Sequence, residues 1–234
     1  MKILAMDTST LVMGVAVLEE NRVLGELTTN MHRNHSVRLM PAIDRLLREL
    51  ALSVDDLDAV AVAQGPGSYT GVRIGVTTAK TIAWSRQLPL IGVSSLAVLA
   101  MNGRHFDGGI VPLFDARRKR AYTGLYQRTD DGLVQTAREE RVVPVDEWLS
   151  ELSGLGPMLF LGDDVDHFRE QIEASLGNQA VFGYPPENVP RASMLGQLAY
   201  ARWQRGEVAD EAFAPNYLQK TEAEVKWSAR QQTE

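Results

Sequence analysis

Hydrophobic positions fall into two rhythms: short continuous runs that suit buried strands, and three- and four-residue spacing that suits one face of a helix. Residues 3–7 form the first run and 14–18 the second. The polar Glu19-Glu20-Asn21-Arg22 then turns the chain into a third, 23–27. A helix is predicted over 36–50, where Val37, Leu39, Met40, Ile43, Leu46, Leu47 and Leu50 recur at helical spacing. Pro41 falls in its first turns, where a missing N–H is tolerable. A strand over 59–63, a helix over 69–84, a strand over 89–93 and a short helix over 96–101 follow, the last closing at Asn102-Gly103.

The same order then repeats. After Gly108-Gly109 come a strand over 110–114 and two more, 121–127 and 140–143, around the turn Thr129-Asp130-Asp131-Gly132. Helix 145–152, strand 158–162, helix 166–176, strand 180–184 and helix 192–205 complete the second half. Helices alternating with strands imply right-handed crossovers and parallel pairing. Three meandering strands followed by that alternation is the ribonuclease H-like arrangement. The expected fold class is therefore α/β, duplicated ribonuclease H-like lobes, the plan of the actin, hexokinase and Hsp70 ATPases. That likeness of plan says nothing about activity. The expected domains are an N-terminal lobe over 1–103, a C-terminal lobe over 104–213, and a polar tail over 214–234, partly disordered and fraying after about residue 224.

Composition narrows the function classes. The 234 residues carry a net charge of −6, which argues against a large phosphate-neutralising footprint and against independent tight RNA or DNA binding, though not against RNA contact inside a larger complex. The chain has no cysteine, which removes disulfides, thiolate zinc sites and cysteine nucleophiles together. No stretch approaches the ~20 apolar residues of a membrane helix and the N-terminal run is too short for a signal sequence. A cytoplasmic protein with no membrane contact is expected.

Candidate chemistry centres on Gln64-Gly65-Pro66-Gly67-Ser68-Tyr69-Thr70-Gly71-Val72-Arg73-Ile74-Gly75, a glycine-rich turn from strand to helix. Such a turn can present backbone N–H groups and a helix N-terminus to an anion. Equally, glycine and proline can simply make a tight corner. It lacks the Gly-Lys-Ser/Thr of a P-loop, and three residues separate Gly67 from Gly71 where the dinucleotide fingerprint needs two. Asp7-Thr8-Ser9-Thr10 ends the first strand, where a carboxylate and hydroxyls could meet a metal-bound water and phosphate. Ser9 stands where kinases of this plan use glycine, and an Asx or Ser/Thr turn fits as well. His32 and His35 are three apart but lack a third ligand nearby, so the segment reads as a helix entry capped by Asn34 or Ser36, and no metal site is expected. No Gly-x-Ser-x-Gly elbow appears, and Ser68 has no base implied by the sequence. Arg117-Arg118-Lys119-Arg120 is the basic run, most simply a solvated turn, with anion or RNA contact as the other reading.

Together, residues 3–10, Asn34-His35-Ser36, the 65–75 segment, Pro89-Leu90-Ile91-Gly92-Val93-Ser94-Ser95-Leu96 and Pro215-Asn216-Tyr217-Leu218 resemble the TsaB (YeaZ) family. That family is the non-catalytic subunit of the bacterial tRNA threonylcarbamoyladenosine machinery and a paralogue of TsaD, which transfers threonylcarbamoyl to adenosine next to the anticodon. The likeness is dense from residue 1 to 100 and thins afterwards. It implies a scaffold subunit with no catalytic residue of its own. Where the catalytic paralogue carries two metal-binding histidines, this chain offers Ser95 and Leu99, of which leucine cannot ligate and serine ligates poorly. The resemblance further implies a heterodimer with a TsaD-like paralogue through the first two helices of the N-terminal lobe, a TsaE-like ATPase in the complex, a homodimer when alone, and tRNA met only indirectly. Interface residues expected on that basis are Val37, Met40, Leu47, Gly71, Gly75, Thr78, Ala79 and Ile82. No cofactor is expected on this chain alone; ATP or ADP in the complex would be shared with the partner and would touch Asp7, Thr8, Ser9 and Gly67. The competing readings are a small-molecule kinase or ATPase of the actin-like fold, which needs a phosphate loop in each lobe, and a metalloprotease, which needs paired histidines.

Overall fold

The computed structural model describes residues 1–20, 22–31, 34–210 and 212–219. Its first sheet has the order β3-β2-β1-β4-β5, built from β1 (Lys2–Asp7), β2 (Val12–Glu19), β3 (Arg22–Asn30), β4 (Ala59–Ala63) and β5 (Leu90–Val93). The second runs β10-β9-β6-β7-β8, from β6 (Gly109–Asp115), β7 (Arg120–Arg128), β8 (Val134–Pro144), β9 (Met158–Leu161) and β10 (Ala180–Phe182). In each sheet the first three strands in sequence pair antiparallel and the last two add parallel beside the first. The two sheets therefore repeat one topology, as the doubled rhythm of the sequence predicts.

Period-two alternation divides β1 between two cores. Leu4 and Met6 face α1 (His35–Glu49) and α2 (Tyr69–Arg86), while Ile3 and Ala5 face α6 (Ala192–Gln204). The α6 side is lined by Ala5, Ala16, Ala59, Ala61 and Ala63, small residues that let the helix lie close to the sheet. Both faces being covered accounts for runs in β2 and β4 that are buried throughout. In the second half, α4 (Val145–Leu152) and α5 (Arg169–Leu176) bury Trp148, Leu149, Ile172 and Leu176 against one face of the sheet. The other face meets α3 (Ser95–Ala100). Leu96 and Leu99 of α3 pack on Ile110, Tyr126 and Leu161 of the second sheet, while Val98 joins the α6 core of the first. A single short helix thus ties both sheets together.

Three expectations change. Helix 192–205 was assigned by chain order to the lobe 104–213, but α6 packs on β1, β2 and β5 of the first sheet, because its Ala192, Leu195 and Ala199 fit the alanine-lined face there. Residues 214–219 of the expected tail touch both lobes: Asn216 N donates to Gln64 O at 2.7 Å, and the Tyr122 hydroxyl donates to Gln219 at 3.4 Å. The expected fraying beyond residue 224 lies outside the described residues. Finally, α1 starts at His35, so Pro41 is interior rather than in the opening turns. It leaves the carbonyl of Val37 without a helical partner, which the exposure of both residues makes tolerable.

Candidate functional site

β1 ends in Asp7, and the loop after it is pressed against the start of α2. Thr8 Oγ1 donates to Gly71 O at 2.7 Å and Ser68 N donates to Ser9 O at 2.7 Å. Three glycines permit this approach. A Cβ at Gly67 would meet Ser9 O and one at Gly71 would meet Thr8 O, while at Gly75 it would stand 2.7 Å from Thr8 Oγ1. Gly67 also has φ 153°, a conformation unfavourable to other residues. Ser68 caps the helix, its Oγ accepting from Gly71 N at 3.3 Å. The glycine pattern therefore serves close contact between two loops of the same chain.

Asp7, Thr8 and Ser9 are buried. Asp7 Oδ1 accepts from Ser9 N at 2.8 Å. Its Oδ2, together with Ser9 Oγ and His35 Nδ1, has no hydrogen-bond partner among the described residues. Burial raises the Asp7 carboxyl above its ordinary range, against the opposing pull of the Ser9 N–H and of the nearby His35. His35 is held by its other nitrogen, Nε2, which lies 2.8 Å from Thr10 O. A carbonyl can only accept, so Nε2 carries a proton in this contact. Orphaned buried polar atoms cost about 1–3 kcal/mol each. Their gathering at one corner marks a place where stability is not the only constraint. Asn34, not Ser36, caps α1, its Oδ1 accepting from Ser36 N at 3.1 Å. His32 lies outside the described residues.

This corner floors a cleft of about 1540 Å³ between the lobes. One wall is the first turn of α2 with Tyr69 and Thr70; the facing wall is the turn from β6 to β7, where Arg117, Arg118 and Arg120 line the space. The basic run read as a solvated turn is thus part of a cleft. Arg117, Arg118 and Lys119 have φ of 63°, 54° and 57°, three successive left-handed residues with no glycine among them. Each costs about 1–2 kcal/mol, and such strain is retained where the surroundings impose it. Here Asp115 Oδ1 accepts from Arg117 N at 2.7 Å, Ala116 N donates to Arg120 O at 2.9 Å and Val145 N donates to Lys119 O at 3.1 Å. Tyr217 lines the cleft beside Tyr69, its ring stacked on that of Tyr69 at 5.1 Å and its hydroxyl accepting from Arg73 Nε at 2.8 Å.

Of the two positions expected to stand where a paralogue has histidines, Ser95 Oγ accepts from Gly65 N at 3.1 Å, and Leu99 is fully buried between α3 and the second sheet. Ser94, its neighbour, caps α3 by accepting from Leu96 N and Ala97 N. Among the described residues no group of three His, Asp or Glu side chains is placed to share a metal ion.

The expected interface residues separate. Val37 and Met40 are 67% and 50% exposed and Thr78 is half-buried. Leu47, Gly71, Gly75, Ala79 and Ile82 are buried in the chain's own core, and their assignment to a partner surface is corrected. The small-residue row of α2 lets that helix sit close to β1 and β4, with Gly75 over Thr8 and Val62. Sequence reasoning missed Trp84, which projects from the far end of α2 at 66% exposure. The signal was available: Trp84 continues the row Arg73, Thr77 and Thr81, polar positions that face away from the core.

Comparison with known proteins gives a consistent picture. The family model described as TsaD: tRNA N6-adenosine threonylcarbamoyltransferase matches residues 22–227. The tRNA threonylcarbamoyladenosine biosynthesis protein TsaB of Bacillus subtilis (strain 168) is 47% identical over 97% of this chain and 98% of its own length. The chain belongs to the TsaB (YeaZ) family. The TsaB of Escherichia coli (strain K12) is 35% identical over 66% of this chain and 68% of its own. The solved YeaZ from Pseudomonas aeruginosa, 31% identical, superposes with a TM-score of 0.80 over 93% of this chain and 99% of that one. The duplicated ribonuclease H-like fold is also that of the activator of the 2-hydroxyisocaproyl-CoA dehydratase from Clostridium difficile, at a TM-score of 0.50 and 10% identity over 91% and 100% of the two chains. No described helix is long and apolar enough to cross a membrane.

Proposed function

We propose that this TsaB-family chain works in tRNA threonylcarbamoyladenosine biosynthesis as a non-catalytic subunit that pairs with a TsaD-like paralogue. The observation that carries this reading is the apolar surface left on the two helices of the first lobe: Val37 and Met40 on α1, Trp84 on α2. These are large hydrophobic side chains on elements whose opposite faces already fill a core, and Trp and Met are enriched at interfaces. The same face serves a homodimer when the paralogue is missing. A non-catalytic role fits the corner described above, where the groups that would cradle a phosphate are bonded to one another instead. Thr8 Oγ1 is spent on Gly71 O and the Ser68 amide on Ser9 O. Nucleotide is accordingly held in the assembly, with a TsaE-like ATPase, rather than by this chain alone.

The test is co-purification and titration of the TsaD-like paralogue against Val37→Asp and Met40→Asp. Replacing an apolar anchor by a charge at the centre of an interface should weaken pairing by at least about 30-fold, while circular dichroism and melting temperature of the isolated chain stay at wild-type values. Wild-type pairing by both variants would place the interface elsewhere. Measurable ATP turnover by the isolated chain would instead favour the kinase or ATPase reading.

A further inference from the structure

We infer that the interlobe cleft is a binding site for single-stranded RNA, with Arg117 and Arg120 taking its phosphodiester groups and the Tyr69–Tyr217 pair stacking a base. This rests on the proposed role in tRNA modification, and it gives the chain a direct RNA contact that its net charge conceals.

Four observations point the same way. First, the arginines are held out for use. Their turn is fixed in three left-handed residues by backbone bonds to Asp115, Ala116 and Val145. Neither Arg117 nor Arg120 has a carboxylate partner among the described residues. Second, the acids of the same wall hold the turn in place. Asp115 Oδ1 accepts from Arg117 N and Asp164 Oδ2 from Asp115 N at 2.9 Å; the two carboxylates keep their charge but hold the backbone of the turn, and neither forms an ion pair with Arg117 or Arg120 among the described residues. Third, both guanidinium charges act on Tyr122, opposing the rise that burial imposes on its hydroxyl, so the positive field extends inward from the turn. Fourth, the opposite wall carries aromatic rings: Tyr69 and Tyr217 are stacked yet 41% and 40% exposed, with the Arg73 guanidinium 4.1 Å from the Tyr69 centroid.

A charged track facing an aromatic platform is the arrangement that binds single strands, because every base has a face to stack and every linkage a charge to meet. A mononucleotide fits less well. The cleft is wide and open, and the glycine loop that would wrap a phosphate chain is packed against Thr8 and Ser9. An RNA loop with splayed bases fills such a space.

The experiment uses the full chain and a fluorescent anticodon stem-loop RNA, read by anisotropy between about 50 and 200 mM salt. Removing two phosphate contacts with Arg117→Gln plus Arg120→Gln should weaken binding about tenfold and lower the slope of log affinity against log salt by about 1.4. Tyr217→Ala should weaken it about fivefold or more without changing that slope. Photo-cross-linking of 4-thiouridine RNA should label the peptide carrying Tyr69 or Tyr217. Melting temperature and pairing with the TsaD-like paralogue are measured on the same samples. If pairing persists but the RNA affinity, salt slope and cross-links do not depend on these residues, the inference fails and the subunit role stands. ATP that binds with the same dependence on Arg117 and Arg120 and displaces the RNA would overturn it in favour of a nucleotide site.

Discussion

Asp7 shows how one buried residue can carry a cost to stability. It occupies the end of the first strand, where a carboxylate could serve a phosphate or a metal, yet here it is buried with one oxygen unpartnered. Its pKa in the folded chain is raised above the ordinary 3.8, so below that value it is neutral in both folded and unfolded states and costs nothing. As pH rises through the folded pKa it must ionise in a buried corner, and stability is lost. Asp7→Asn keeps the acceptor for Ser9 N and removes the charge. The variant should therefore melt at a higher temperature than wild type at pH 7, with the difference shrinking to nothing as pH falls through 3.8. Glu26, whose carboxyl is held low by Arg191 and Ser193 against its own burial, destabilises both proteins equally in acid and cancels from the comparison. Equal melting temperatures at every pH would mean that Asp7 is not raised.

At the scale of the element, α2 separates what was legible in the sequence from what was not. Its existence, its start after Ser68 and its glycine row could all be read from spacing. Which way the row faces could not, because Gly71, Gly75 and Ala79 suit close approach to a partner helix or to the chain's own strand equally well. The decision is made by Thr8 and Val62, residues distant in sequence that only the fold brings beneath Gly75. On α1 the same ambiguity resolves residue by residue: Val37 and Met40 face out, and Leu47, about two turns beyond Met40, faces the core. The strands buried on both faces, β1, β2 and β4, were easier, since a continuous apolar run leaves no facing to choose; β8, expected over 140–143, runs Val134–Pro144, its polar first half carrying no such run. Gly75→Arg and Leu47→Asp should consequently behave as folding variants. Each inserts a long or charged side chain where none fits, by a mechanism that costs about 3 kcal/mol or more. Both should be recovered as aggregated or low-melting protein before pairing is ever measured, whereas Met40→Asp should be recovered folded. A well-folded Gly75→Arg that loses only its partner would restore the glycine row to the interface.

For the whole molecule, the duplicated topology leaves each sheet with two edges, and an open edge invites pairing with another chain. The first sheet covers its β5 edge with the segment that follows α6. Ala209 N donates to Leu90 O at 2.7 Å, Lys80 Nζ donates to Phe213 O at 2.7 Å, and the Phe213 ring lies over Gly92. From there the chain reaches Gln64, then Tyr69, and Gln219 accepts from the Tyr122 hydroxyl of the second lobe at 3.4 Å. The described residues of this strap thus cover part of a sheet edge, line the cleft and touch both lobes. No local rhythm could announce it, because it is irregular in conformation and its partners lie far back in the chain. A chain ending at Gly206 should lose about 2–4 kcal/mol, the scale for removing a large packed side chain, which lowers the melting temperature by roughly 5–15 °C. It should also associate in a concentration-dependent way through the bared β5 edge. Phe213→Ala, which keeps the backbone cover, should share the lower melting temperature but sediment like the wild type. Sedimentation of the two variants side by side distinguishes the roles, and identical self-association by both would show that the ring, not the strap's backbone, guards the edge.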